Sequence, residues 1–229
     1  FMLSSIISSG GDILVLLAIL IAFLSALFIS MPAHEFAHAH TALKEGDPTA
    51  KVLGRHTLAP FAHIDWWGLL LLLVFGIGFA KPVPVDPNNF KNGKKSSVKV
   101  ALAGVFTNLI IGIVSTIVYA FLVNVWPELF NNYGFISDIY YFFFNFMISI
   151  NFMFAFFNIL PIYPLDGFRV VETFTKPYSK FVAFMKTYGF YIMILVVFTG
   201  LTGLYLQYTA GLLSDLLFKG MNKLFAHIF

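Results

Sequence analysis

His34 and His38 stand four residues apart, with Glu35 directly after the first, in the stretch MPAHEFAHAH at residues 31–40. On a helix, residues four apart share a face, so both imidazoles can reach one metal ion. Glu35 lies about 100° round the helix from His34. From there it can touch a metal-bound water without being a ligand. A zinc ion held this way lowers the pKa of its water to about 7 and polarises a carbonyl, and the glutamate can take the released proton. The pattern therefore reads as hydrolytic chemistry. His40, six positions after His34, falls off the shared face and reads as a bystander or outer support. A chain with six histidines can produce this spacing by chance. Against chance, the pattern falls on a predicted helix, and three ionisable groups at the end of a membrane segment are costly without a purpose.

A catalytic zinc takes three protein ligands and keeps one position open. The chain has no cysteine, so disulfides and thiolate ligands are excluded and the third ligand must be His, Asp or Glu. Asp166, in PLDG at the end of an apolar segment, is the best candidate, the sole acid between Asp138 and Glu172. A plain Asp-Gly turn is the alternative reading. Asn108, in AGVFTNLI, and Asn158, eight residues before Asp166, are amides inside apolar runs, and Pro161 and Pro164 break the helix after Asn158. Buried amides need partners. The two could bond each other, hold a substrate backbone or support an oxyanion, and the residues alone leave these open. His56, His63 and Asp65 form a further polar cluster. It reads first as an interfacial anchor, with support or gating of the metal site by His63 and Asp65 as the alternative.

The elements that must position these groups belong to a membrane. Hydrophobic residues make up 59% of the 229 and charged residues only 11%, against about 25% charged in soluble domains. The mean hydropathy is +0.85. Strong apolar segments run over about 12–43, 98–126, 139–162 and 184–205, with weaker ones near 66–80 and 206–225, each judged against the roughly 20 residues a helical span needs. The first run continues straight into the histidines, as expected of a membrane helix and not of a cleaved signal. The fold class expected is an all-α polytopic membrane protein with about 4–6 transmembrane helices. One integral membrane domain over residues 1–229 is expected, with its site region at 31–170.

Lysine and arginine mark the cytoplasmic side. Lys81, Lys91, Lys94, Lys95 and Lys99 fall in one loop and Arg169, Lys176, Lys180 and Lys186 in another, while PELFNNYGFISD between them has neither. The net charge of +3 is thus a topology signal and not a nucleic-acid footprint. Lys51 and Arg55 precede WWGLLLLLVFGIGFA and lysines follow it, so one crossing there would break the charge rule. A re-entrant loop or hairpin between the first and second strong spans would not, and non-helical backbone at that depth must line a cavity or be buried in protein.

HEFAH on a membrane helix, AGVFTN and NILPIYPLDG, in that order, resemble the site-2 protease family of intramembrane zinc metalloproteases. GDPTAKVLGRHTLAPFAHID and AKPVPVDPNNF resemble its small prokaryotic members without PDZ or CBS domains. The likeness spans about His34 to Gly167. It implies one Zn2+ on His34, His38 and Asp166, with Glu35 as general base and Asn108 and Asn158 near the substrate. It implies cleavage of transmembrane protein substrates near the cytoplasmic face of a prokaryotic cell membrane. The family usually carries Gly-Pro where this chain has Gly104-Val105. Two other functions fit the same ligands, a membrane zinc hydrolase of lipid amides or esters and a zinc transporter. A transporter would favour repeated sites and inverted repeats, which this chain does not display.

Overall fold

The computed structural model describes residues 12–75, 78, 80–131, 134–176 and 178–228. Helix α1 (Ile13–Lys44) starts where the Asp12 side chain accepts the Leu14 N–H at 2.8 Å. It stops at Gly46, whose φ of 109° suits glycine, and a Cβ there would lie 2.8 Å from the Asn89 carbonyl oxygen. A short α2 (Thr49–Val52) and a 3₁₀ turn at Pro60–Ala62 lead to α3 (Trp66–Phe75). A second turn, Pro87–Asn89, precedes α4 (Lys94–Val125). Then come α5 (Glu128–Asn131), α6 (Phe135–Asn158), α7 (Asp166–Phe174), α8 (Lys180–Phe198), α9 (Leu201–Leu206), a π turn over Gln207–Gly211 and α10 (Leu212–Ile228). No strand occurs among the described residues.

Four of these helices, α1, α4, α6 and α8, are long and apolar enough to cross a membrane. The all-α polytopic expectation holds, and the four strong segments correspond to these helices. Residues 206–225 comprise the last residue of α9, the π turn and most of α10, which packs along α4. Asn124 there donates to Asn222 at 2.8 Å, and Tyr119 stacks on Phe218.

The core is a three-helix cluster of α1, α4 and α6. Its packing follows from a row of small residues at every fourth position. On α1, Ala18, Ala22, Ala26, Ser30, His34, His38 and Ala42 are all buried. On α4, Ser96, Val100, Gly104, Asn108, Gly112, Thr116 and Ala120 are buried in the same register. Small residues let membrane helices approach closely, where lipid supplies no hydrophobic drive for association. Gly112 admits the Phe152 ring of α6, which a Cβ would meet at 2.8 Å. Larger side chains fill the remaining α1–α6 seam, where Phe23 meets Phe146 edge to face at 5.4 Å.

Helices α1 and α4 run antiparallel. Ser30 and His34 face Asn108, His38 faces Val100, and Glu45 pairs with Lys99 at 2.6 Å. The connection between them leaves and rejoins the pair at one end, where Lys91 N–H donates to the Glu45 carbonyl at 2.9 Å. Within it, Lys81 N–H donates to the His63 carbonyl at 2.9 Å, bringing together both ends of the segment that contains α3. A Cβ on Gly78 would lie 2.6 Å from the Leu72 Cβ, so the chain there runs back against α3. Gly76, Ile77 and Phe79, also part of the expected re-entrant stretch, lie outside the described residues.

Candidate metal centre

Helix α1 delivers His34 and His38 at the lower end of its small-residue row, where α4 presents Gly104 opposite them. A Cβ on Gly104 would sit 2.5 Å from His34 Nε2 and 2.6 Å from His38 Nε2. Glycine there is what lets both rings lie against α4, and α4 continues unbroken through Gly104-Val105. Asp166 comes from the other side. After α6 ends, residues 159–165 reverse the chain, with a cis Tyr163–Pro164 bond, and α7 opens with Asp166. Gly167 packs so tightly on the backbone of Ile159 and Leu160 that no side chain would fit. The Asp-Gly pair therefore folds the start of α7 onto the end of α6 and turns the carboxylate toward α1.

Three acceptor atoms then form a nearly equilateral triangle. His34 Nε2 lies 3.1 Å from Asp166 Oδ2, His38 Nε2 lies 3.2 Å from it, and the two nitrogens are 3.0 Å apart. All three residues are buried and could hold a metal together. Hydrogen bonds on the far side of each ring decide what these atoms carry. His38 Nδ1 is 2.7 Å from the Val100 carbonyl, which can only accept, so Nδ1 holds the proton. His34 Nδ1 is 2.5 Å from Asn108 Oδ1, and the Asn108 amide donates its own hydrogens to Asn151 Oδ1 at 2.7 Å and the Ser30 carbonyl at 3.4 Å. His34 Nδ1 is thus also a donor. In the neutral imidazoles both Nε2 lone pairs then face a carboxylate oxygen, and three acceptors at this separation suit a bound cation.

Zinc fits the spacing. Zinc bonds nitrogen and oxygen at about 2.0–2.2 Å, so donor atoms about 3 Å apart suit one ion, which His34, His38 and Asp166 would hold. A ligand carboxylate must be ionised.

The imidazole support continues into the core. Asn151 donates to Ser30 Oγ and to the Met147 carbonyl, both at 2.7 Å, and Ser30 Oγ donates to the Ala26 carbonyl at 2.7 Å. Every hydrogen in the relay from His34 through Asn108, Asn151 and Ser30 has an acceptor, so no amide can flip without breaking two bonds. Such outer partners fix ring orientation and tautomer at metal sites.

Glu35 is positioned differently. Its Oε2 accepts the backbone N–H of Val83 at 2.9 Å. Pro82 and Val83 form one wall of a cavity of about 90 Å³ lined also by His34, Glu35, His38, Asn158, Pro164, Asp166 and Arg169. The strap that carries Val83, residues 81–91, is fastened at both ends. Arg55 donates to the Lys81 carbonyl at 2.7 Å. Asp47, fully buried, accepts the Asp86 N–H at 2.8 Å, the Asn89 amide at 2.9 Å, the Thr49 N–H at 3.1 Å and the Thr49 hydroxyl. Burial by itself would raise the Asp47 carboxyl, and these donors outweigh it and hold it below its ordinary value.

The other expected residues are distributed as follows. Asn158 lines the cavity, with Nδ2 bonded to the Phe154 carbonyl one turn back. Asn108 does not face the cavity or bond Asn158. It stands behind His34 with its polar atoms engaged. His63 is buried, with Nε2 at 2.8 Å from the Thr57 carbonyl, and Asp65 Oδ1 accepts the Gly68 N–H at the start of α3; neither is among the residues that line the cavity. His40 pairs with His56 at 3.3 Å beside Phe36. Ser30 and Asn151 escaped the reading of the sequence, as did the place of Gly104 and Arg169 at the site. Ser30 and Gly104 could have been found from the four-residue rows that already contain His34 and Asn108.

The chain matches the description of peptidase family M50 over residues 22–199. It belongs to that family. It is accordingly a membrane metalloprotease of the site-2 type, a multi-pass integral membrane protein, and zinc is its cofactor. The chain is 37% identical over 180 residues to YwhC of Bacillus subtilis (strain 168), whose name provisionally calls it a zinc metalloprotease, covering 78% of this chain and 80% of the relative. It is 26% identical over 149 residues to zinc metalloprotease MJ0392 of Methanocaldococcus jannaschii, covering 64% of this chain and 32% of that relative. No solved structure matches the chain.

Proposed function

We propose that this M50 protease hydrolyses peptide bonds of transmembrane substrate helices near the cytoplasmic face, with His34, His38 and Asp166 as zinc ligands and Glu35 as general base, inside a single domain spanning residues 1–229. The observation that carries the reading is the convergence of three bare acceptor atoms beside a fourth ionisable group, Glu35, in one small cavity. Bound zinc would supply the Lewis acid that acidifies water and polarises the scissile carbonyl. Glu35 takes the proton of the attacking water and delivers it to the leaving amide nitrogen. Val83 N–H holds the Glu35 carboxylate in place by one oxygen. Asn158, with one amide hydrogen left over, offers a donor to the substrate backbone.

The cavity has room for a few waters and none for a peptide, so the strap wall must shift to admit an extended substrate segment. The antiparallel α1–α4 pair and the Lys81–His63 contact support a re-entrant course for residues 66–80. The lysines of 91–99 and Arg169 at the same end of the bundle support a cytoplasmic site. The chain has no cysteine, so single cysteines placed at Asn92 or Glu128 report sidedness without background. Labelling of both from one side would refute the topology.

The decisive experiment uses purified protein in liposomes with a transmembrane peptide. Glu35→Gln should retain zinc and lose cleavage, and Asp166→Ala should lose both. Glu35→Gln protein that still cleaves refutes the base assignment, and undiminished zinc in Asp166→Ala refutes the third ligand. Cleavage of lipid amides or esters but not of peptide would move the enzyme to lipid substrates. Zinc flux that survives Glu35→Gln would point to transport.

A further inference from the structure

Arg169 lies on α7 one turn after Asp166, and its side chain lines the cavity with His34, Glu35, His38 and Asp166. Among the described residues its guanidinium makes no hydrogen bond and no ion pair. The natural partner on its own helix, Glu172 at i+3, is taken by Lys186 of α8. Asp166 faces the two imidazoles, and the N–H on Glu35 comes from Val83. Arg169 is thus a half-buried cation with five free N–H donors, beside a site that will hold a second cation. Such placement is unfavourable at rest unless something negative arrives.

The chemistry described above supplies that negative charge. Before reaction the mobile negative charge sits on the Glu35 carboxylate. When the water oxygen bonds to the carbonyl carbon, its proton passes to Glu35, which becomes neutral, and the carbonyl π pair moves onto the substrate oxygen. Collapse returns that pair, breaks the C–N bond, and sends the proton from Glu35 to the nitrogen. The negative charge therefore travels from Glu35 to the substrate oxygen and back. Arg169 does not bond Glu35 at rest, so an interaction with the tetrahedral oxygen is gained only as the charge moves. An interaction made in the transition state and not in the ground state raises kcat.

We infer that Arg169 is a catalytic residue that donates to the oxyanion of the tetrahedral intermediate, an inference that rests on the proposed zinc-and-Glu35 mechanism. Asn158 is the other side-chain donor in the cavity, but one of its hydrogens is already bonded to the Phe154 carbonyl.

The test compares wild type with Arg169→Gln and Arg169→Lys in detergent or liposomes, with zinc content and thermal stability measured on each. Two affinities are read: that of a peptidyl phosphinate, an anionic tetrahedral mimic, and that of the uncleaved parent peptide on a Glu35→Gln background. Expected for Arg169→Gln is full zinc, a loss of kcat of about 100-fold, little change in KM, and a matching loss of phosphinate affinity with parent-peptide affinity unchanged. Arg169→Lys should recover part of both losses. Unchanged phosphinate affinity, or equal losses for phosphinate and parent peptide, would overturn the assignment, as would loss of zinc in both variants. If wild type neither cleaves the peptide nor binds the phosphinate, the underlying protease reading fails instead, and the two failures are thereby separate.

Discussion

The ligand cage and the Glu35 strap sit a few ångströms apart and are built on opposite plans. The cage is made by helices. His34 and His38 continue a row of small residues on α1, Gly104 lets α4 lie against them, and a relay of two amides and one hydroxyl, Asn108, Asn151 and Ser30, locks the ring of His34 from behind. The strap is loop backbone. It reaches Glu35 with one N–H and is held by Arg55 at one end and by Asp47 at the other. The difference teaches that holding the ion and activating the water are structurally separable. Damage to the cage should remove zinc, and damage to the strap should leave zinc and slow turnover.

The largest effect should come from the cage. Gly104→Ala places a methyl group against both Nε2 atoms, and zinc content and cleavage should both vanish while helix content by circular dichroism persists. A zinc-replete Gly104→Ala enzyme would break the distinction at its strongest point. Next, Asn108→Ala removes the acceptor on His34 Nδ1, and zinc affinity should fall by about 10- to 100-fold, read by competition with a chromophoric chelator. Asn151→Ala acts one bond further back. It should cost less affinity than Asn108→Ala and show mainly as lower thermal stability, by about 1–3 kcal/mol for the buried donors left without partners. Equal zinc affinities for the two variants would mean that the relay does not pass orientation forward.

Strap variants should behave otherwise. Asp47→Ala removes the shared acceptor for Asp86, Asn89 and Thr49. Zinc should be retained, kcat should fall on the order of tenfold, equivalent to about 1.4 kcal/mol, and proteolytic nicking within 81–91 should rise. Loss of zinc in this variant would erase the separation. The smallest expected effect is in pH. The Asp47 carboxyl is held below its ordinary value, so the latch is fully present above the unfolded Asp pKa of about 3.9 and is lost only as pH falls through the lowered value. Nicking of the wild-type strap should therefore be flat from pH 5 to 8 and rise only in stronger acid.

The cage was largely readable in advance because its chemistry rides on helix periodicity. A spacing of four put both imidazoles on one face, and Asp166 stood out as an isolated acid beside a broken helix. The same periodicity carried Ser30 and Gly104, but attention to ionisable residues passed over the small ones. The direction of Asn108 was not readable, because an amide in an apolar run satisfies its bonds equally well behind a ligand or before a substrate. The strap was not readable either. Its contact with Glu35 is made by a backbone N–H, which every residue but proline possesses, so side-chain identity gives no hint of it. Arg169 was counted as a topology charge, and the pairing of Glu172 with Lys186 helps to leave it without a partner among the described residues.

The cavity's size has a kinetic corollary for how the ion is lost. A multidentate chelator such as EDTA must wrap its arms around a metal, and a chamber with room for only a few solvent molecules denies it that access. Stripping should then proceed at the pace at which residues 81–91 lift away, independent of chelator concentration once that is high. Apoenzyme prepared in this way would be a clock for loop opening.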